Sequence, residues 1–127
     1  MKVCKDCRQS FPLARFYSIF RRGRKETLPR CSFCEIARCA RNREAIRLDI
    51  LEKYAINGLP ACVLCSNTDV EVLGIDHIQG GGNRERKAFG AYVGGFYRQL
   101  RRQPKRNDLR ILCRNCNWKE YLHHVRQ

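Results

Sequence analysis

Four Cys-x-x-Cys pairs in a chain of 127 residues are the feature that most constrains the fold. They use eight of the nine cysteines: Cys4/Cys7, Cys31/Cys34, Cys62/Cys65 and Cys113/Cys116. A small chain buries only a modest apolar core, so it commonly needs cross-links or metals to hold its structure. The ninth cysteine, Cys39, could replace Cys34 in a metal site, but we expect a small thiol, buried or partly exposed.

Zinc is the preferred explanation of the paired cysteines. The first residues, MKVCKDCRQSF, lack the apolar stretch of a secretory signal. We therefore expect an intracellular chain with reduced thiols, in which such pairs bind zinc rather than form disulfides. A redox role is disfavoured because no thioredoxin-like β-α-β pattern surrounds the four pairs. No apolar run approaches the roughly 18 residues of a membrane span, so we expect a cytoplasmic protein.

The spacing of the pairs divides the chain into three parts. The first two pairs can close a tetrahedral zinc site in an N-terminal unit, residues 1–36. Residues 37–58 show helical spacing of apolar side chains and end at Gly58-Leu59-Pro60, which predicts a connecting helix. The last two pairs lie far apart, so a second zinc should tie together the ends of a domain over residues 59–127. Four aromatic residues should form an apolar cluster over the first metal: Phe11, Phe16, Tyr17 and Phe20.

Periodicity in residues 59–127 predicts the order strand, long loop with an inserted helix, strand, helix, which is an α+β fold. VEVLGIDHI reads as a strand ending at Asp76-His77, GGGNRERK as a flexible basic loop, and LRILC as the second strand. Apolar residues at helical spacing mark the inserted helix: Phe89, Tyr92, Val93, Phe96 and Leu100. Those of the last helix predict an amphipathic helix, in which we expect Trp118 in the core rather than as a base-stacking platform: Trp118, Tyr121, Leu122 and Val125.

The charge of the chain predicts a polyanionic partner. It has 26 Lys and Arg against 12 Asp and Glu, a formal net charge of +14, and a protein this basic usually binds nucleic acid. Candidate phosphate contacts fall in an exposed loop, the glycine-rich loop and the inserted helix: Arg21, Arg22, Arg24, Lys25; Arg84, Arg86, Lys87; Arg98, Arg101, Arg102. The first group could instead belong to a purely structural unit, and the second could merely solvate its loop.

Asp76, His77 and Asn117 are the candidate catalytic residues. Neutral histidine suits the task of taking a proton from water near neutral pH. Carboxylate and carboxamide oxygens suit a hard cation, whereas the cysteines take a softer metal. Neighbours in a regular strand point to opposite faces, so we expect a bulge or bend that brings Asp76 and His77 into one cleft. Gly74 and Gly80–Gly82 would allow that distortion.

Two of these assignments have alternatives in the last helix. Asn117 could simply cap the helix N-terminus. His123 and His124 are expected on its surface, with His124 near the face of Asn117 and able to contact phosphate or metal.

The segments CVLC, LGIDHIQGGGNRERK and LRILCRNCNWK, within residues 62–119, resemble the HNH or ββα-metal endonucleases. Within that superfamily they are most similar to phage enzymes of the recombination endonuclease VII type. The segments CKDC, FPLARFY and RCSFC resemble the zinc-binding part that precedes such domains in some phage proteins. The resemblance implies a small zinc-stapled ββα-metal (His-Me finger) domain behind a zinc-knuckle unit and a helix, in the cytoplasm of a bacterium or a phage-infected cell.

The resemblance also implies roles for the matching residues. His77 would be the general base, Asp76 and Asn117 would hold one Mg²⁺ or Mn²⁺, and both cysteine sites would hold structural Zn²⁺. Arg84 and Arg86 are our candidates for a clamp on the scissile phosphate, with Arg86 counted among the catalytic residues. This chain has Gln79 where that branch often has a second histidine. No unique residue matches the middle asparagine that supports the base; the candidates are Asn83, Asn107 and Asn115.

The leading hypothesis is an endonuclease that cuts duplex or branched DNA, as a monomer or a homodimer. A non-catalytic zinc-dependent nucleic-acid-binding protein with a degenerate Asp76-His77 pair is the alternative. An RNA-processing nuclease or a ribosome-associated factor is the third. All of them predict binding that weakens steeply with salt.

Overall fold

The computed structural model describes residues 1–88 and 93–127. The chain forms two compact units, Met1–Arg43 and Glu44–Gln127, called here the N-terminal and the C-terminal unit. The described residues form four α-helices and three antiparallel two-stranded sheets, which confirms the predicted α+β class. The predictions for Phe89 and Tyr92 lie outside these residues. In the described part of the chain, no helix combines the length and apolar character needed to cross a membrane.

The N-terminal unit contains two small sheets before its helix. Strand β1 (Lys2–Val3) pairs with β2 (Ser10–Phe11), and β3 (Ser18–Arg21) pairs with β4 (Arg24–Thr27). A single turn of 3-10 helix, Leu13–Arg15, lies between the sheets.

The connection between β3 and β4 is a tight two-residue turn. Arg22 has a φ of 49° and Gly23 a φ of 76°. Positive φ at both central residues is the pattern of the type I′ hairpin turn, whose twist matches that of the strands. Glycine and asparagine are the usual residues there, so an arginine at the first position is uncommon.

Helix α1 spans Ser32–Tyr54. It begins directly after Cys31, earlier than the predicted residue 37, because the Glu35 N–H already donates to the Cys31 carbonyl at 2.9 Å. It ends at Tyr54, short of Gly58.

The core of the N-terminal unit is small. Cys4, Phe16 and Cys31 are buried, and Phe11 packs against them. Tyr17 is about half exposed and Phe20 is 75% exposed, and neither packs against the buried cluster, so the predicted four-membered aromatic cluster is wrong for these two residues. The reason is that β4 has no buried residue, so the β3–β4 hairpin presents its side chains to solvent.

The C-terminal unit follows the predicted order with one correction. It contains β5 (Leu73–His77), α2 (Gly82–Ala88), α3 (Val93–Arg102), β6 (Leu109–Cys113) and α4 (Arg114–Arg126). The segment GGGNRERK, predicted as a loop, forms most of α2. The Glu85 N–H donates to the Gly81 carbonyl at 3.1 Å, and the residues that follow are mostly good helix formers.

The core of the C-terminal unit is continuous. Its buried residues come from α1, both strands, α3 and the cysteine pairs: Ile50, Leu51, Tyr54, Cys62, Leu73, Ile75, Phe96, Leu100, Leu109, Ile111, Leu112, Cys113 and Cys116. Two cationic side chains of α1 hold neighbouring segments against this helix. Arg47 donates to the carbonyls of Val70 (2.7 Å) and Leu73 (3.0 Å). Lys53 donates to carbonyls at the end of α3, where a positive charge is favoured.

Helix α4 does not pack as predicted. Trp118, Tyr121 and Val125 are exposed large apolar residues, so the prediction that Trp118 lies in the core is wrong. Cys116 is the buried residue of this helix. The cysteine in the first turn fixes the face of α4 that lies against the core, and that face does not carry the aromatic residues.

Candidate functional site

Two clusters of four cysteines confirm the predicted metal-binding sets. In each cluster the sulfur atoms lie within 4.8 Å of one another: Cys4, Cys7, Cys31, Cys34; and Cys62, Cys65, Cys113, Cys116. Four thiolates at this spacing are the donor set of a structural zinc site. Cys39 belongs to neither cluster, and its sulfur lies 3.7 Å from Oε1 of Glu35.

Backbone donors around the sulfur atoms test whether the clusters suit a cation. The Cys31 N–H donates to Sγ of Cys4 at 3.3 Å, and the Cys116 N–H donates to Sγ of Cys113 at 3.4 Å. Burial raises the pKa of the Cys4 thiol, but N–H groups of Cys31, Cys7 and Asp6 outweigh it and lower that pKa to about 6. Such donors favour thiolates, which are the form that binds zinc.

The pKa of the last cysteine in each cluster shows why the cluster needs a cation. The hydrogen bond with Cys31 is the largest contribution that raises the pKa of Cys34, to about 12, and Cys113 does the same to Cys116. Four thiolates cannot share so small a space unless a positive charge offsets their repulsion. The residues therefore fit Zn²⁺ in both units.

Both clusters are built on one plan. The first pair sits on a tight knuckle in which the residue after the second cysteine has a positive φ: 63° at Arg8 and 64° at Ser66. In each knuckle the N–H of that residue donates to the carbonyl of the first cysteine, at 3.1 Å and 2.8 Å. A strand pair follows, β3–β4 or β5–β6, and the second cysteine pair stands at the start of a helix, α1 or α4.

The predicted catalytic residues meet in one cavity of about 210 Å³ in the C-terminal unit. Asp76 and His77 reach it from the end of β5, Arg86 from α2 and Asn117 from the first turn of α4. The remaining lining residues are the glycine run, its neighbour and one strand residue: Gly80, Gly81, Gly82, Asn83 and Ile75. The structure thus brings together four residues that lie up to 41 positions apart in the sequence.

No bulge brings Asp76 and His77 to the cavity. Pairing with β6 runs in unbroken register from Leu73 opposite Cys113 to His77 opposite Leu109. The predicted bulge is therefore wrong. The cavity lies at the end of the strand, where the glycine run and the first turn of α4 also line it.

His77 is held by Glu85 and Arg106, which the sequence did not single out, and it packs against Phe96 of α3. It is buried, its ring centre lies 5.4 Å from that of Phe96, and its Nε2 lies 2.5 Å from Oε2 of Glu85. Arg106 donates to both oxygens of Glu85 and to both oxygens of Asp108. Glu85 stands in a run of charged residues, RERK, that gives no sign of a buried contact.

The charge state of Glu85 determines which imidazole nitrogen of His77 carries the proton. Hydrogen bonding to Arg106 is the largest effect on the pKa of Glu85 and lowers it, and hydrogen bonding to His77 lowers it further. Glu85 is thus ionised at neutral pH and can only accept a hydrogen bond. Nε2 of His77 must therefore carry the proton, which leaves Nδ1 with a lone pair in the neutral ring.

The glycine run leaves room for that nitrogen. A Cβ placed on Gly82 would lie 2.7 Å from Nδ1 of His77. Gly80 and Gly81 have φ values of 76° and 86°, which other residues rarely adopt. The glycine run therefore turns the chain back beside the imidazole of His77. Gly82, where the backbone comes closest to the ring, has no side chain.

Asp76 is bound to a cation of the protein itself. Its Oδ2 accepts from Nε of Arg110 at 2.9 Å, and Nη2 of Arg110 also donates to Glu120 at 3.2 Å. Arg110 stands opposite Asp76 in the strand pair. The side-chain oxygens of Asp76 and Asn117 are suitable ligands for a hard divalent cation. A cation bound there would interact with Asp76 in addition to Arg110.

The basic residues predicted to contact nucleic acid are all exposed. Those of the glycine-rich segment lie on α2, and the guanidinium of Arg86 is 5.9 Å from the ring centre of Phe96. A second group lies on α3, and the third on the β3–β4 hairpin of the N-terminal unit: Arg98, Arg101, Arg102; Arg21, Arg22, Arg24, Lys25. On the hairpin, Arg21, Arg22, Arg24 and Glu26 line an open cavity of about 620 Å³.

Comparison of the chain with protein-family models, with curated proteins and with solved structures finds no match.

Proposed function

We propose that this protein is a metal-dependent endonuclease of the HNH type that hydrolyses phosphodiester bonds of DNA. The observation that carries the proposal is the common cavity of Asp76, His77, Arg86 and Asn117, in which Glu85 fixes the imidazole. A proton acceptor, two oxygen donors and a guanidinium in one small polar space are what phosphodiester hydrolysis requires.

His77 acts as the general base. Its Nε2–H is engaged by Glu85, so Nδ1 is the nitrogen that takes a proton from the attacking water. Burial against Phe96 restricts the ring to this orientation. General-base catalysis of this kind contributes about 10²–10⁴-fold to a rate.

Asp76 and Asn117 hold the divalent cation, and Arg86 holds the phosphate. A bound Mg²⁺ or Mn²⁺ supplies stabilisation of the negative charge that develops on the phosphate oxygens. Arg86 lines the same cavity, and its planar guanidinium can donate two hydrogen bonds to a phosphate. The two zinc sites have a structural role, because each joins a knuckle to the start of a helix.

The substrate class follows from charge. A formal net charge of +14 and exposed basic groups on α2, α3 and the β3–β4 hairpin favour a polyanion. One cavity of this kind cuts one strand per encounter. Cleavage of both strands therefore requires a homodimer or two encounters.

A supercoiled-plasmid assay tests the proposal. Wild-type protein loaded with zinc is incubated with Mg²⁺ or Mn²⁺, and the variant His77→Ala is run beside it. Nicking or linearisation should require the divalent cation and should fall by about 10²–10⁴-fold in the variant. Equal cleavage by His77→Ala would refute the mechanism, and intact plasmid, branched DNA and single strands would refute the nuclease.

One observation favours the alternative of a non-catalytic zinc-dependent nucleic-acid-binding protein. Asp76 already pairs with Arg110, which neutralises the carboxylate that should bind the cation. Electron paramagnetic resonance of added Mn²⁺ separates the two functions. Binding of one Mn²⁺ that is lost in Asp76→Asn supports the nuclease, and no binding in the wild type supports the alternative.

A further inference from the structure

Helix α4 exposes a pair of stacked aromatic rings beside the candidate cavity. The ring centres of Trp118 and Tyr121 are 5.3 Å apart with an angle of 27° between their planes. Trp118 is 60% exposed and Tyr121 is 53% exposed. A large aromatic pair is normally buried because it contributes much apolar area, so its exposure points to a binding partner.

The position of the pair relates it to the cavity. Trp118 directly follows Asn117, which lines the cavity, and Tyr121 lies one helical turn after Asn117 on the same side of α4. A strand whose phosphate entered the cavity would therefore place its adjoining nucleotides against this part of the helix. The aromatic pair is within reach of the bases rather than of a remote part of the substrate.

The chemistry of α4 selects the partner. Arg114, Lys119 and Arg126 are exposed on this helix. The single acidic residue of α4, Glu120, is paired with Arg110. A surface that combines π faces with positive charge fits nucleobases joined by phosphates, and a base can extend an existing aromatic stack.

Resting on the function proposed above, we propose that Trp118 and Tyr121 form a stacking platform for an unpaired or splayed base next to the scissile phosphate. The preferred substrate is then DNA with unpaired nucleotides, such as a single strand or the arm of a branch. In a closed duplex the bases are already stacked on each other, so their faces are not available to the platform.

Trp118 provides its own test because it is the only tryptophan of the chain. Zinc-loaded His77→Ala protein, without added Mg²⁺ or Mn²⁺, is titrated with oligothymidylate and with a duplex of equal length. We expect saturable quenching of the tryptophan emission by the single strand and weaker quenching by the duplex. Labelled oligonucleotides followed by fluorescence anisotropy give the affinities independently of the emission.

Matched variants separate stacking from charge and from folding. Trp118→Leu, which keeps an apolar helix-forming residue, should weaken single-strand binding about five- to hundredfold and duplex binding less. Tyr121→Phe keeps the ring and should bind like the parent, whereas Tyr121→Leu should bind more weakly. Zinc content and the far-ultraviolet circular dichroism spectrum verify that each variant is folded.

Several results would overturn the platform. Full binding by anisotropy without a change in emission would place the base elsewhere, and so would unchanged affinity in Trp118→Leu. Emission that depends on protein concentration without DNA would identify a second copy of the chain as the partner of the aromatic pair. Failure to cleave plasmid, branched DNA and single strands, with intact quenching, would remove the nuclease and leave the platform, so the two proposals can fail separately.

Discussion

Glu85 accepts a hydrogen bond from Nε2 of His77 at 2.5 Å, while Arg106 holds the same carboxylate through both of its oxygens. The imidazole is thus fixed from α2, and α2 is fixed in turn from the segment that leads into β6. This relationship turns one strand-end histidine into a side chain with a defined tautomer, and it makes Glu85 a positioning residue of the proposed nuclease.

Removing the carboxylate should reduce cleavage without unfolding the protein. In Glu85→Ala the ring loses its acceptor, and misplacement of a catalytic group by about 1 Å can cost about 10²-fold in rate. Glu85→Gln keeps an oxygen that can accept from Nε2, so it should retain more activity than Glu85→Ala. Single-turnover nicking rates measure this, with zinc content as the control. Equal nicking rates in Glu85→Ala and Glu85→Gln would show that the hydrogen bond accepted from Nε2 of His77 is unimportant for cleavage.

Two positions of the glycine run separate the effect of a steric clash with His77 from the effect of backbone strain. In Gly82→Ala the new Cβ would lie 2.7 Å from Nδ1 of His77, so the ring must move and cleavage should fall by about 10²-fold. In Gly81→Ala the new Cβ meets nothing within 4 Å, but the φ of 86° is unfavourable for alanine. That variant should lose about 1–2 kcal/mol of stability and should lose less cleavage per folded molecule than Gly82→Ala. Thermal melts and nicking rates distinguish the pair, and the reverse order of effects would contradict the assignment of Nδ1.

Arg22 should contribute to DNA binding and should lower the stability of the protein. Its φ of 49° is a conformation that asparagine adopts more readily, so Arg22→Asn should leave stability unchanged or raise it. The same variant removes a charge from the exposed hairpin, so DNA binding should weaken and the slope of log K against log salt should fall by about 1.

Arg8 supplies the matched control for that experiment. It also has a positive φ, 63°, but it lies on the zinc knuckle of the same unit rather than on the hairpin. Arg8→Asn should relieve the backbone in the same way and change the salt slope less. Anisotropy titrations at several salt concentrations compare the variants. Identical slopes for the two would mean that the hairpin has no special part in binding.

Both zinc sites should be needed for folding. The hydrophobic core of the N-terminal unit has only three buried side chains, two of them cysteines, so metal binding must provide much of the folding free energy of this unit. We expect two zinc ions per chain by elemental analysis, and loss of a cooperative melt in Cys113→Ser. Cys39→Ser, which changes a cysteine outside both clusters, should keep two zinc ions and the wild-type melt. A cooperative melt after zinc removal would argue against a structural role.

Much of the architecture could be predicted because it rests on local signals. The Cys-x-x-Cys pairs predicted both metal clusters, and the segments VEVLGIDHI and LRILC predicted the two strands. The exposure of Trp118 could not be predicted, because an apolar stripe shows that a helix has an apolar face and not that this face is covered. Glu85 was missed for a related reason, since its partner His77 is brought close only by the turn at Gly80–Gly82.

The shared plan of the two units has a consequence for how such a chain can change. In each unit, four sulfur atoms fix the ends of the segment that contains the strand pair, so the connection between the strands can vary in length without disturbing its anchors. In one unit that connection is Arg22-Gly23; in the other it runs from Ile78 to Asp108 and carries Glu85, Arg86 and Arg106. Exchange of these connections between related chains would therefore be an economical route to new specificity, with the metal-bound frame inherited unchanged.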